Sequence, residues 1–102
     1  MKVSTKLIGD ELYIILDGEL DHSVADKIRD QIDERILSLS PSKVIIEMSK
    51  LRFMDSTGIG LILGRYKKLR ARHIPMYIGS PNPQIDKVIK ISGLYSIIPL
   101  LR

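Results

Sequence analysis

Val44-Ile45-Ile46 is an unbroken apolar run, and Phe53-Met54-Asp55-Ser56-Thr57-Gly58-Ile59-Gly60 follows it closely. The first segment reads as a strand covered on both faces, because alternation is lost where neither face meets water. The second puts an aspartate, two hydroxyls and a glycine where that strand ends and an amphipathic helix begins. Ile59, Ile62, Leu63, Tyr66 and Leu69 share one helical face, which predicts a helix from about Thr57 to Arg72. A buried strand feeding directly into a helix is the unit of an α/β sheet.

The same grammar extends in both directions. Val3 to Ile8 and Leu12-Tyr13-Ile14-Ile15-Leu16 flank the turn pair Gly9-Asp10 and predict a hairpin. Asp17-Gly18-Glu19-Leu20-Asp21 reads as a loop, with Asp21 or Ser23 as the N-cap of a helix. Val24, Ile28, Ile32, Ile36 and Leu39 then recur at helical spacing, opposite Asp26, Asp30, Asp33 and Arg35, until Ser40-Pro41-Ser42. Beyond the central unit, Ile74 to Ile78 predicts a strand. Ser80-Pro81-Asn82-Pro83 is a breaker and cap, with Pro83 at the first helical position. Ile85, Val88 and Ile89 predict a third helix closed by Ser92-Gly93, and Ile97-Ile98 a last short strand. The order β-β-α-β-α-β-α-β predicts a mixed, mostly parallel sheet with an antiparallel N-terminal hairpin and helices packed on it. Residues 1–102 form one domain.

Composition narrows the function classes. Apolar residues are 44% and charged residues 27%, the balance of a soluble globular protein. Cysteine is absent, which excludes disulfides and thiolate metal sites and fits a reducing cytoplasm. No secretory leader or bilayer-spanning stretch is expected: Leu12 to Leu16 and Ile59 to Leu63 are too short. Charge is segregated: residues 1–50 hold 7 Lys/Arg against 10 Asp/Glu, and residues 51–102 hold 9 against 2. Most of the excess lies in Arg65 to His73. Such a stretch is a solvated helix face or a patch for an anionic partner. A nucleic-acid reading through Arg65, Lys67, Lys68, Arg70 and Arg72 has only Tyr66 as an interleaved aromatic, so no stacking platform is expected.

In open parallel sheets, ligands and partners meet the loops beyond the carboxyl ends of the strands. Two such loops stand out, Gly18-Glu19-Leu20-Asp21-His22 and Met54-Asp55-Ser56-Thr57-Gly58, and both lead into helix N-termini. Ser56 can be a cap, a nucleophile or a phosphoryl acceptor. A nucleophile elbow needs glycines two residues either side of its serine; Gly58 fills one place and Met54 the other. His22 and His73 are the only histidines, and neither has an evident orienting partner. Gly58, Gly60 and Gly64 match no phosphate-binding fingerprint. Asp17, Glu19 and Asp21 match no calcium loop, and no histidine pair has ligand spacing. No catalytic residue, metal or cofactor is expected. A phosphate on Ser56 would sit at a helix N-terminus, adding about −1.5 to −2 charge without unfolding the domain. On chemistry alone, cap and phosphoacceptor remain open.

The segment Phe53 to Lys67, FMDSTGIGLILGRYK, resembles the phosphorylation-site signature of the bacterial anti-sigma factor antagonists of the STAS-domain family. Gly18-Glu19-Leu20-Asp21-His22 resembles the family's second signature, and nearly the whole chain follows its element order. The sporulation type is the nearest match, with Gly64-Arg65-Tyr66-Lys67 favouring it modestly over general-stress or stressosome types. The resemblance implies a regulator of transcription rather than an enzyme. Its unphosphorylated form binds an anti-sigma factor serine kinase carrying ATP or ADP and frees a sigma factor. The kinase phosphorylates the antagonist, which then no longer binds, and a serine phosphatase resets it. Carried over by position, Ser56 is the acceptor and Asp21 a kinase contact. Asp55, Thr57 and Gly58 complete the partner-binding set by shaping the acceptor loop. The family usually has serine where Thr57 stands, and its members commonly continue into a C-terminal helix. A cytoplasmic protein with no direct nucleic-acid or membrane partner is expected, a monomer being the expected form while the sequence leaves the oligomeric state open.

Overall fold

The computed structural model describes residues 1–101. The elements are β1 (Lys2–Ile8), β2 (Glu11–Leu20), α1 (Ala25–Leu39), β3 (Lys43–Met54), α2 (Ser56–Ala71), β4 (Met76–Gly79) and α3 (Pro83–Ser92), followed by a 3-10 turn at Leu94–Ser96. The four strands lie in the order β1-β2-β3-β4. β1 and β2 pair antiparallel around Gly9, whose φ of 63° turns the hairpin. β2 with β3 and β3 with β4 pair parallel. This is the single α/β domain expected, with helices on the sheet.

One apolar core sits between the helices and one sheet face. Leu12, Ile14 and Leu16 of β2 and Val44, Ile46 and Met48 of β3 point into it. They meet Ile28, Ile32 and Ile36 of α1, Ile62 and Leu69 of α2, and Ile85 and Ile89 of α3. Burying such side chains is worth about 1.5–3 kcal/mol each and is the main force that fixes the layers. The cover on both faces expected for Val44-Ile45-Ile46 is found: Val44 and Ile46 lie in this core, and Ile45, on the opposite face, is fully buried too, with Tyr13 and Tyr77 as its cross-strand neighbours.

The strands toward the site are longer than alternation foretells. Asp17 to Leu20, read as a loop, continues β2, and β3 runs on through Met54. The β2–β3 register slips twice: Ile15 faces Glu47 but Asp17 faces Lys50, and Gly18 faces Leu51 but Glu19 faces Phe53. Each slip inserts one extra residue in β3, a bulge that returns Leu51 and then Met54 to the core. β4 starts at Met76 rather than Ile74, whose N–H donates to the Leu69 carbonyl and so belongs to the end of α2. Ile97-Ile98 is not a strand: both N–H groups donate to the Leu94 carbonyl. The chain pairs with β4 slightly later, by a single parallel bridge of Leu100 to Ile78. Pro99 accepts from the Ile78 N–H but, lacking an N–H of its own, cannot extend that pairing back toward Ile98.

Candidate functional site

Pairing of β2 with β3 ends at Leu20 opposite Met54, and the Asp55 N–H points at the Leu20 carbonyl at 3.4 Å. The two loops singled out in the sequence are thereby brought side by side at one end of the sheet. Asp21 and Asp55 each follow directly on this last pair of strand residues.

Asp55, not Ser56, caps α2. Its Oδ1 accepts from the Thr57 N–H at 2.9 Å and the Gly58 N–H at 3.2 Å, while its backbone is extended. This is the N-cap geometry, and it satisfies two of the donors a helix start leaves unpaired. Ser56 is the first helical residue, exposed, with no hydrogen bond to its hydroxyl among the described residues. The cap reading of Ser56 is therefore corrected: a carboxylate one residue earlier does that work and leaves the hydroxyl free. Thr57 is exposed beside it.

Gly58 is buried beneath the turn. A Cβ there would lie 2.5 Å from Met54 Cγ and 3.2 Å from the Leu20 Cδ2 and Cγ atoms. Its lack of a side chain lets the first turn of α2 rest on the two strand ends, which fixes where Ser56 stands.

Asp21 does not cap α1 either. Its Oδ1 accepts from the Ser23 N–H at 2.9 Å and from the Ser23 hydroxyl, and its carbonyl accepts from Val24 N–H. These bonds, the hydroxyl first, hold its carboxyl below the ordinary aspartate range. The helix begins afterwards, at Ala25, with Val24 at the cap position and no side-chain cap. Asp21 is thus a fixed carboxylate at the edge of the Ser56 surface, with Glu19 exposed nearby in sequence.

Two features of the site are missed by a reading of motifs. A shallow groove of about 290 Å³ adjoins Ser56, lined by Ile59 of α2 and Val88 and Ile91 of α3. Ile91 is 77% exposed and Phe53 41%. Ile91 falls off the Ile85-Val88-Ile89 stripe, and that off-face position was its signal in the sequence. The second concerns the basic stretch. Arg65 is 7% exposed, with Nε 2.8 Å from Asp33 Oδ1, and Lys68 Nζ is 3.2 Å from Asp33 Oδ2. One carboxylate of α1 thus holds two of the five cations between the helices, so the stretch is not a single solvated face. His22 and His73 are exposed, and no cluster of three or more metal-ligating side chains occurs among the described residues. No helix among them is long and apolar enough to cross a membrane.

The comparisons agree with this architecture. The STAS-domain family model matches residues 2–102. The anti-sigma F factor antagonist of Paenibacillus polymyxa is 38% identical over 87% of this chain and 76% of its own length. That of Lysinibacillus sphaericus is 36% identical over 92% and 81%. The structure of the anti-sigma factor antagonist SpoIIAA in its unphosphorylated form superposes with a TM-score of 0.81 at 31% identity, covering 99% of this chain and 89% of that one. The phosphorylated form of the Bacillus protein gives 0.73 at 31% identity, covering 99% and 92%. Matched over nearly its whole length by the family model and by relatives at 36% and 38% identity, the chain belongs to the STAS-domain family.

Proposed function

We propose that this protein is an anti-sigma factor antagonist whose binding to an anti-sigma factor serine kinase is switched by phosphorylation of Ser56. The observation that carries the reading is the division of labour at the start of α2. Asp55 caps the helix, so the neighbouring hydroxyl is exposed and structurally idle. Relatives at 36% and 38% identity are anti-sigma F factor antagonists, and those named anti-sigma-B factor antagonists stand at 27% to 29%, which favours the sporulation branch.

In the unphosphorylated form the Ser56 surface docks on the kinase loaded with ATP or ADP, and a sigma factor is freed. The groove of Ile59, Val88 and Ile91 supplies apolar contact, with Asp21 and Asp55 as acceptors and Thr57 at the rim. The kinase then transfers the γ-phosphoryl group of ATP to the Ser56 oxygen, releasing ADP and the hydroxyl proton. The chain supplies no base for this step and acts as substrate. The new phosphate carries about −1.5 to −2 charge. Asp55 already accepts from the N–H groups of Thr57 and Gly58, so little of that charge is matched within the domain. The fold persists while the docking surface becomes bulky and more acidic. A penalty of about 3–4 kcal/mol at the interface lowers affinity by two to three decades. A serine phosphatase returns the chain to its binding form, in the cytoplasm.

The test is phosphorylation by the cognate kinase with ATP, read by intact mass and peptide mapping. One phosphate on Ser56 is expected, and none on Ser56→Ala. Modification at another residue, or none, overturns the assignment.

A further inference from the structure

The C-terminal half of α2 carries a second surface that the Ser56 site does not use. A groove of about 380 Å³ runs between α1 and α2, with Ile36, Leu37, Leu69 and Ala71 as its apolar wall and Lys68 and Arg72 as its outer cations. Leu37 is 71% exposed, lying off the Ile28-Ile32-Ile36 stripe that faces the core. Arg65 and Asp33 also border the groove but are engaged with each other, and Lys68 shares the same carboxylate. Arg72 has no carboxylate within ion-pair reach among the described residues. Three cations thus border the groove against one carboxylate.

We propose that this groove docks an acidic, leucine-bearing segment of a partner protein. Positive charge left uncompensated selects an acidic sequence. An apolar wall with an exposed leucine selects methyl groups, the pattern by which an amphipathic helix is held in a groove. A nucleic-acid backbone would use the cations and waste the wall. Unpaired bases need aromatic faces, and Tyr66, the aromatic of this stretch, lines a different pocket with Arg70 and His73. Ser56 and Lys68 are twelve positions apart on α2, about 18 Å along its axis, so the groove is separate from the Ser56 surface. The inference stands whether or not Ser56 is phosphorylated.

The probe is a fluorescein-labelled, 15-residue helix-forming peptide with leucines on one face and glutamates on the other, titrated with the full chain by anisotropy. Its partners in the experiment are the same peptide with glutamine for glutamate and a labelled single-stranded oligonucleotide. Saturable binding of the glutamate peptide is expected, weakened about tenfold by Arg72→Glu and about fivefold by Leu37→Ser. Lys6→Glu makes the same charge change on β1, at a residue that does not line the groove, and should alter binding less than about twofold. Residues 37 and 72 are exposed, so the variants should fold, as a thermal melt would verify. Should Arg72→Glu unfold, Arg72→Gln with about threefold weakening gives the same reading. Absence of binding, equal binding of the glutamine peptide, indifference to Leu37→Ser, or competition by the oligonucleotide overturns the proposal.

Discussion

A methyl group at position 58 tests the packing that aims the Ser56 hydroxyl. In Gly58→Ala the new Cβ would start 2.5 Å from Met54 Cγ and 3.2 Å from Leu20 Cδ2. Carbon atoms prefer about 3.5–4.0 Å, so the overlap with Met54 is on the order of 1 Å. Met54 is buried, and its Cγ lies near the root of the side chain and has little room to retreat. Overpacking of this kind costs about 1–3 kcal/mol, against which alanine's helix propensity returns at most about 1 kcal/mol. The net expectation is a loss of about 1–2 kcal/mol, with a melting temperature lower by roughly 4–8 °C per kcal/mol in a domain of this size. The decisive assay is a double-mutant cycle with Met54→Ala, measured by urea denaturation. Met54→Ala alone should cost about 2–5 kcal/mol by opening a cavity. In that background the added methyl occupies vacated space, so Gly58→Ala should become neutral or stabilising, a coupling of about 1–3 kcal/mol. Equal destabilisation in both backgrounds, or none in the parent, would refute the packing argument.

Other perturbations separate the remaining parts of the site. Asp55→Ala removes the acceptor for the Thr57 and Gly58 N–H groups and should cost about 0.5–2 kcal/mol in denaturation, whereas Asp55→Asn, which keeps an oxygen, should cost less. Asp33→Ala leaves Arg65 without its partner; since Asp33 is partly exposed, the expected loss is about 1–3 kcal/mol, below that for a fully buried pair, and Arg65→Met/Asp33→Ala should recover much of it. Tyr95 donates to Asp86, which also pairs with Lys90 at 3.0 Å; the hydrogen bond from Tyr95 and then the lysine hold the Asp86 carboxyl low, and burial followed by Asp86 pushes the Tyr95 hydroxyl up. Because the Asp86 shift is downward, its stabilisation is present above about pH 4 and lost as pH falls through the folded value. Because the Tyr95 shift is upward, its stabilisation is present below about pH 10 and lost as pH rises further. The stability gap between parent and Tyr95→Phe should therefore be flat from about pH 5 to 9 and narrow at both ends; a gap independent of pH would count against the pair.

How much was legible in advance depends on whether a residue's role is local. The hairpin turn at Gly9, the helical stripes and the proline at the start of α3 are decided by neighbours in sequence, and the structure follows them. The far half of β3 was hidden because two bulges break its alternation: Leu51 and Met54 return to the core at a spacing that belongs to neither strand nor helix. Arg65 was hidden because its partner, Asp33, sits on a different helix, and no pattern within α2 distinguishes a paired arginine from a solvated one. The Asp55-Ser56 junction was legible as a helix start. Which of its two polar side chains caps required the backbone, since both types are good caps. The juxtaposition of the Asp21 and Asp55 loops followed from adjacent parallel strands, but the Val88 and Ile91 groove beside Ser56 required the placement of α3.

The central claim is that one phosphate on Ser56 separates a binding form from a non-binding form of the same fold. Its most direct measurement is calorimetric titration of the cognate anti-sigma factor kinase, loaded with ADP, with the unphosphorylated chain and with the chain phosphorylated on Ser56. The account predicts two to three decades between the two affinities, with superimposable far-UV spectra for the two forms. Equal affinities would contradict it.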